Sequence, residues 1–315
     1  MTSATTSHRR PPVAAILLIP LAVALVLALF AWPQARLEPR EVPIGVAGQA
    51  GPLEQRLAAS GDAFEIHRYA DESAARTAIE DRDVYGAFVA TPSGPKVLIA
   101  SAGSPAVSQA LTHAAAEVDA PIEDVVANRP AGGGLAASIL PLVLAGLLTG
   151  ALSAALVSGA WRRTGLLVAG SALAGLTATA IVQSWLGIVG GDWLTNAGVL
   201  SLTVLAIAAA VAGLQALMGK AGIALAAAAM ILVGNPFSAV ATGPEMLPTP
   251  AGWLGQLLPP GAGGNLLRST GFFDGANAGG HVTVIAVWAL AGLGMLFLAG
   301  LRSRRSATAP VAVPA

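Results

Sequence analysis

The residues in this sequence that could do chemistry are few, and their spacing argues against most of it. His67 and His113 stand alone, with no HExxH pattern and no carboxylate at ligand spacing. Both read as surface or core residues rather than metal ligands. Glu80-Asp81-Arg82-Asp83 has the charge to attract calcium but lacks the alternating ligands and the glycine of a calcium loop. It reads as the solvated end of a helix. Gly103–Gln109, "GSPAVSQ", contains serines without the nucleophile-elbow pattern, so hydrolase chemistry has no support. The absence of cysteine excludes disulfides, thiolate nucleophiles and cysteine-ligated metals. No Walker A sequence occurs, so any ATP hydrolysis must come from another polypeptide. Asp192, Glu245 and Asp274 would support an enzyme only by converging on one pocket. The chain therefore reads as a non-enzyme with no metal or cofactor of its own.

One stretch is unusual for its neighbourhood. Gly252–Phe273, "GWLGQLLPPGAGGNLLRSTGFF", begins like an amphipathic helix, meets Pro259-Pro260 and a glycine cluster, then turns apolar around a lone Arg268. Trp253, Leu254, Leu257 and Leu258 share a helical face, and Trp253, Phe272 and Phe273 suit the headgroup depth of a bilayer. The expectation is two short helices dipping into the outer leaflet, broken at Pro259–Gly264 and covered by protein or a water-filled cavity. If the chain moves a substrate, Trp253, Pro259, Pro260, Gly261, Asn265 and Arg268 are the first candidates for its path or outer mouth.

The elements that must hold this stretch are membrane spans. The chain is 55% hydrophobic and 11% charged, with a mean hydropathy of +0.70, outside the range of globular proteins. The first apolar run, residues 13–32, is long enough for a hydrocarbon core of about 30 Å. It is longer than a signal-peptide core and has no small-x-small cleavage site, so it reads as an uncleaved anchor. Five more runs follow at residues 135–159, 165–189, 197–218, 221–241 and 281–301. Arg9, Arg10, Arg162, Arg163, Lys220, Arg302, Arg304 and Arg305 all fall on the side that a six-span count assigns to the N-terminus. The positive-inside rule then places residues 1–12 and the 302–315 tail in the cytoplasm of a multi-pass plasma-membrane protein. Arg268 is the only basic residue outside the outer domain that departs from this pattern. It pairs with a lipid phosphate or contacts a substrate.

Residues 33–134 read as an extracytoplasmic α/β domain inserted between the first and second spans of a six-helix membrane bundle. Strands are expected at "VPIGVAG", "AFEIHRYA", "VYGAFVAT" and "PKVLIAS", with Thr91–Gly94 as a turn. Helices are expected at residues 52–59, after an Asp71 cap, and from Ser104-Pro105 to Val118. "PIEDVVANRPAGGG" reads as a linker. About a hundred residues bury one modest core. With fourteen acids against eight bases, the domain disfavours nucleic acid and anionic headgroups.

No Asp, Glu, Lys, Arg or His lies near the centre of a span, which disfavours a proton-coupled antiporter. Gln183, Gln215 and Asn235 read as interhelical hydrogen-bond groups. "GLLTG", "GSALAG" and "ALAAAAM" allow helices close approach, and Gly146 and Gly150 form a GxxxG pair for bundle packing or a homodimer seam. Gly234-Asn235-Pro236 breaks the fifth run.

One span, an external α/β domain and five further spans resembles the ABC-2 type transporter permease superfamily, in its phage-infection-protein-like actinobacterial branch. The likeness is carried by "IGVAG", "DESAARTAIEDRDVYGAFVA", "KVLIASAGSPAVSQAL" and "GNPFSAVATGPEMLPTPAGWLGQLLPPGAGGNLLRSTGFFDGA". It implies an export-type membrane subunit that dimerises and works with a separate cytoplasmic ATPase on drugs, lipids or polymers. It also implies an outer re-entrant segment, here residues 242–280, before the last span. The cytoplasmic loops are very short for such a subunit, and Trp161, Arg162 and Arg163 are the only candidates for ATPase contact. The alternative is a non-transporting, membrane-anchored surface protein whose outer domain binds a partner, as a phage receptor does.

Overall fold

The computed structural model describes residues 13–48, 61–130 and 132–307. The helix expected at 52–59 and the charges Arg9 and Arg10 lie outside these residues, as do the side chains of Arg304 and Arg305.

The chain opens with α1 (Val13–Ala35) and passes into a five-stranded sheet of order β2-β1-β3-β4-β5. β1 (Val42–Ala47) runs parallel to β2 (Phe64–Tyr69) and to β3 (Gly86–Thr91), and β3 forms a hairpin with β4 (Gly94–Ile99). The hairpin turns at the expected Thr91–Gly94. β5 (Ile122–Asp124) adds in parallel to β4, inside the stretch that reads as a linker. That segment is a short polar edge strand, whose burial alternation is too brief to show in sequence.

Two helices cover the sheet, one per face. α2 (Glu72–Glu80) is capped by Asp71, whose carboxylate accepts from the Ala74 N–H at 2.9 Å. Its Ala75, Ala78 and Ile79 pack on Ala47, Ala87, Val89 and Leu98. α3 (Pro105–Glu117) starts at Ser104, with Pro105 in the first turn where its missing N–H costs nothing. Val107, Leu111 and Ala115 of α3 pack on Val42, Ile44, Val46 and Phe88, on the opposite face. The strict period of two in β1 decides which side chain meets which helix.

The membrane domain is built around α6. α4 (Gly134–Leu156), α5 (Ala160–Thr179, continued by a π-turn to Trp185), α6 (Trp193–Met218) and α10 (Gly279–Ala307) are long enough and apolar enough to span a bilayer, as is α1. Of α6, 72% is buried, against 6% of the span in α1, so α6 is the axis and α1 lies at the periphery. α1 touches the rest through Leu29 and through Trp32, whose ring meets Phe237 edge-on at 6.4 Å.

The fifth apolar run is shorter than its sequence suggests. α7 (Lys220–Ala227) continues through a π-turn (Ala228–Gly234) and stops, giving an apolar helix of Lys220–Gly234 rather than a span to residue 241. At about 1.5 Å per residue that helix covers roughly 22 Å, less than a hydrocarbon core. Asn235-Pro236 ends it, and the chain continues through buried turns. The last helix extends to Ala307, beyond the expected end at 301.

Close approach to α6 depends on glycine. A Cβ on Gly146 would lie 2.7 Å from Ile207, and one on Gly150 would lie 2.7 Å from both the Ala208 carbonyl and Val211. Gly213 of α6 and Gly292 of α10 meet back to back in the same way. Gly146 and Gly150 are thus buried against α6 within one chain. Gly150→Val forces its side chain onto backbone that cannot yield, and should destabilise the bundle by about 1–3 kcal/mol. Thermal unfolding of detergent-purified protein checks this; an unchanged midpoint would remove the α4–α6 contact as the cause of close packing.

Candidate functional site

The unusual stretch folds as two helices, α8 (Ala251–Gln256) and α9 (Pro259–Phe272). Their break falls at Leu257–Leu258, ahead of the prolines. Pro259 and Pro260 occupy the first turn of α9, and the glycine cluster lies inside the helix rather than breaking it. Glycine costs a helix about 1 kcal/mol relative to alanine. Here that cost is offset by contact: Gly261 lies against the Gly255 carbonyl, Gly263 against Thr203 of α6 and Gly264 against Val240.

α9 is buried along nearly its whole length, and Arg268 with it, at 3% exposure. Arg268 therefore does not face lipid phosphate. Its Nε donates to the Ala102 carbonyl of the sheet domain at 2.9 Å and its Nη1 to Asn265 Oδ1 at 2.7 Å; its Nη2 donates to the Val240 carbonyl. The amide chain continues outward: Asn265 Nδ2 donates to Gln256 Oε1 at 2.7 Å, and Gln256 Nε2 to the Ser238 carbonyl at 3.0 Å. One guanidinium thus joins the sheet domain, the 235–246 loop and both short helices.

Two apolar side chains reinforce the junction. Met246, from the turn ahead of α8, enters the core on the α3 face of the sheet. Phe273, at the end of α9, enters the core on the α2 face. Ser104, the cap of α3, also donates to the Thr242 carbonyl at 2.6 Å. Both faces of the sheet are completed by residues from the membrane domain.

Between these contacts lies a cavity of about 610 Å³, in the size range of small-molecule sites. The sheet domain contributes Glu41, Ile79, Arg82, Asp83 and Tyr85, and the membrane domain contributes Glu245, Leu247, Trp253, Gln256, Asn265, Phe273 and His281. Arg82 Nη1 donates to the Asn265 carbonyl at 3.3 Å and to the Ser269 hydroxyl, and its guanidinium lies 5.3 Å from the centre of the Phe273 ring. Tyr85 donates to Glu245 Oε2 at 2.8 Å. Burial pulls the Arg82 guanidinium below its ordinary range, opposed by Tyr85 and Glu245. Burial first, and then the charge of Glu245, push the Tyr85 phenol well above its usual value.

Arg82 also has an unusual backbone. α2 ends in a Schellman motif, with the Asp83 N–H donating to the Ala78 carbonyl at 2.8 Å and the Arg82 N–H to Ile79 at 3.1 Å. Arg82 occupies the left-handed position that normally takes glycine, at φ 62°. A side chain there costs roughly 1–2 kcal/mol. Glu41 and Asn277, two more residues of positive φ, line the same cavity. Strain held in this way is a feature of functional sites.

Of the outer-mouth candidates, Trp253 and Asn265 line the cavity, and Trp253 is 64% exposed at its opening. Pro259, Pro260, Gly261 and Arg268 are buried in the support behind it. Asp192 caps α6 and Asp274 lies outside the cavity, so only Glu245 of the three membrane-domain carboxylates reaches it. Among the described residues no cluster of three His, Asp or Glu could hold a metal. At the other end of the bundle Trp161 and Arg162 are exposed, with Trp161 edge-on to Phe297 at 4.9 Å. Arg163 is buried and donates to Gln215 Oε1 at 2.9 Å, which removes it from the residues available to a partner. Sequence reasoning missed Tyr85 and Met246, placed Phe273 at headgroup depth rather than in the sheet core, and read Arg82 as part of a solvated helix end. The one local clue was a large side chain at a helix C-terminus where glycine is usual.

The fold defines a multi-pass helical membrane protein carrying a small sheet domain. No protein-family model matches the chain, and neither a curated protein nor a solved structure does.

Two predictions follow from the junction. Arg268→Ala orphans the Ala102 and Val240 carbonyls, each at about 1–3 kcal/mol. Hydrogen exchange should rise at residues 100–103 and 237–247 while helix content is kept; unchanged protection there would mean that Arg268 does not hold the junction. The second concerns alkaline pH. The chain has two tyrosines, Tyr69 and Tyr85, and both phenols are raised from 10.0. Native protein should show less phenolate absorbance at pH 10 than unfolded protein, in which about half of the phenols are ionised. The protonated form is the one the fold favours, so its stabilisation is full below pH 10 and is lost as pH rises above it. Ordinary titration of both tyrosines in the native state would refute the burial of Tyr85.

Proposed function

We propose that the chain is the membrane subunit of an ABC-2-like exporter, working with a separate cytoplasmic ATPase on a drug-, lipid- or polymer-type substrate. In this reading the chain crosses the plasma membrane six times, both termini are cytoplasmic and the 33–134 domain is outside. The observation that carries it is the buried helix–break–helix of α8 and α9, placed before the last long helix and joined to the sheet domain. An outer re-entrant segment at that point is what the resemblance implies.

Further features support the reading. α7 turns back from α6 at Gly219 and meets Pro260 of α9 at Gly234, so the re-entrant pair completes the passage that α7 is too short to make. Arg162 and Lys220 lie at one end of the bundle and the sheet domain packs at the other, as the positive-inside rule requires. The connections at that basic end are short: residues 157–159 between α4 and α5, and Gly219 between α6 and α7. Trp161 and Arg162 are therefore the exposed residues assigned to the ATPase contact. A membrane-anchored surface protein whose sheet domain binds a partner on its own fits less well, because Met246 and Phe273 of the membrane domain fill that domain's two cores.

Affinity purification of the full chain in mild detergent, followed by mass spectrometry, tests this. A polypeptide bearing a Walker A motif should co-purify together with a second, untagged copy of the chain. Trp161→Ala combined with Arg162→Ala should reduce recovery of the ATPase at least five-fold. Recovery of the chain with no nucleotide-binding partner under crosslinking conditions would overturn the export reading.

A further inference from the structure

We propose that the junction cavity binds an amphiphile with a singly charged anionic head, a carboxylate or phosphodiester, seated on Arg82. The argument begins with an incomplete charge. The Arg82 guanidinium is half-buried and gives its Nη1 to the Asn265 carbonyl and the Ser269 hydroxyl. Its Nε and Nη2 have no hydrogen-bond partner, and it makes no ion pair, among the described residues. Arg268 stands behind it with all three nitrogens committed to neutral oxygens. Buried charges in proteins are as a rule paired. Here two cations share a junction in which the nearest inward acid, Glu245, already holds the Tyr85 hydroxyl.

A guanidinium with two free, coplanar donors matches a carboxylate or phosphate edge. Phe273 lies against the guanidinium, with its ring centre 5.3 Å away. The head carries one charge rather than two, because Glu41 and Asp83 at the exposed rim and Glu245 within would repel a second. The acidity of the sheet domain as a whole opposes this little, since exposed charges are screened over about 8–10 Å. The tail follows from the remaining lining. Ile79, Leu247, Pro250 and Phe273 are apolar, and Trp253 at the opening suits the level of lipid headgroups. The left-handed backbone of Arg82 adds an independent observation: the fold keeps an arginine where glycine would be less strained.

This inference goes beyond export and does not require it, because binding is measured on the isolated chain without an ATPase. Laurate is titrated by calorimetry into the full chain in non-ionic detergent, below the concentration at which laurate forms micelles. Dodecanol and acetate serve as the tail alone and the head alone. Laurate should bind at one saturable site, at least ten-fold tighter than dodecanol. Arg82→Gly, which suits the left-handed backbone, should weaken laurate at least ten-fold, whereas Lys220→Ala at the far end should not. Trp253→Ala, at an exposed position that folding tolerates, should weaken laurate several-fold and leave acetate unaffected; it keeps the test open should Arg82→Gly fail to fold. Acetate binding that depends on Arg82 and matches laurate would overturn the amphiphile and leave a free-anion seat on Arg82. Equal laurate affinity in the native chain and both cavity variants, or equal affinity for dodecanol, would overturn the proposal.

Discussion

The junction of this protein depends on a guanidinium that has left water without gaining a carboxylate. Arg268 satisfies its charge with two backbone carbonyls and one amide oxygen, taken from three separate parts of the chain. Each acceptor is stabilised by a cation that it could not find locally, and the cation is tolerated only because all three converge. Folding of the 235–246 loop, seating of α9 and docking of the sheet domain are therefore energetically coupled. None of the three can be displaced without exposing a buried polar atom of another.

Around that point the packing follows from side-chain size. α6 accepts neighbours at backbone distance because glycines face it from α4, α9 and α10. In an apolar solvent the drive to associate comes from such close contact rather than from removing hydrocarbon from water. The sheet domain is organised differently: branched and aromatic residues fill two cores, and Met246 and Phe273 complete them. The same short helical region thus meets one solvent regime on its bundle side and the other on its sheet side. Its mixture of proline, glycine and one arginine reflects that double duty.

Much of the architecture was legible because its signals are local. The caps Asp71 and Ser104 act within three residues, the Thr91–Gly94 turn acts within four, and the long apolar runs declare themselves by length. What was not legible depends on partners far along the chain. β5 is three residues whose pairing with β4 gives them their strand character. The glycines of α9 read as a break until Thr203 and Val240 are placed against them. Arg82 reads as part of a solvated run of charges, yet its hydrogen-bond partners lie more than 180 residues away. The fifth apolar run has the composition of a span, but Asn235-Pro236 and a π-turn shorten the helix that forms. The candidate site was thus half visible: Trp253 and Asn265 could be named, while the sheet-domain wall could not.

The plugging of both sheet faces by Met246 and Phe273 has a consequence for how such a chain can change over time. A domain whose cores close on themselves can be exchanged between proteins like a cassette. This one cannot, because excision would open a hole on each side of its sheet and strand two large apolar side chains in the donor. The sheet domain and the two short helices must therefore be inherited together, and variation is channelled to surfaces neither plug touches, such as the hairpin tip at Pro92-Ser93.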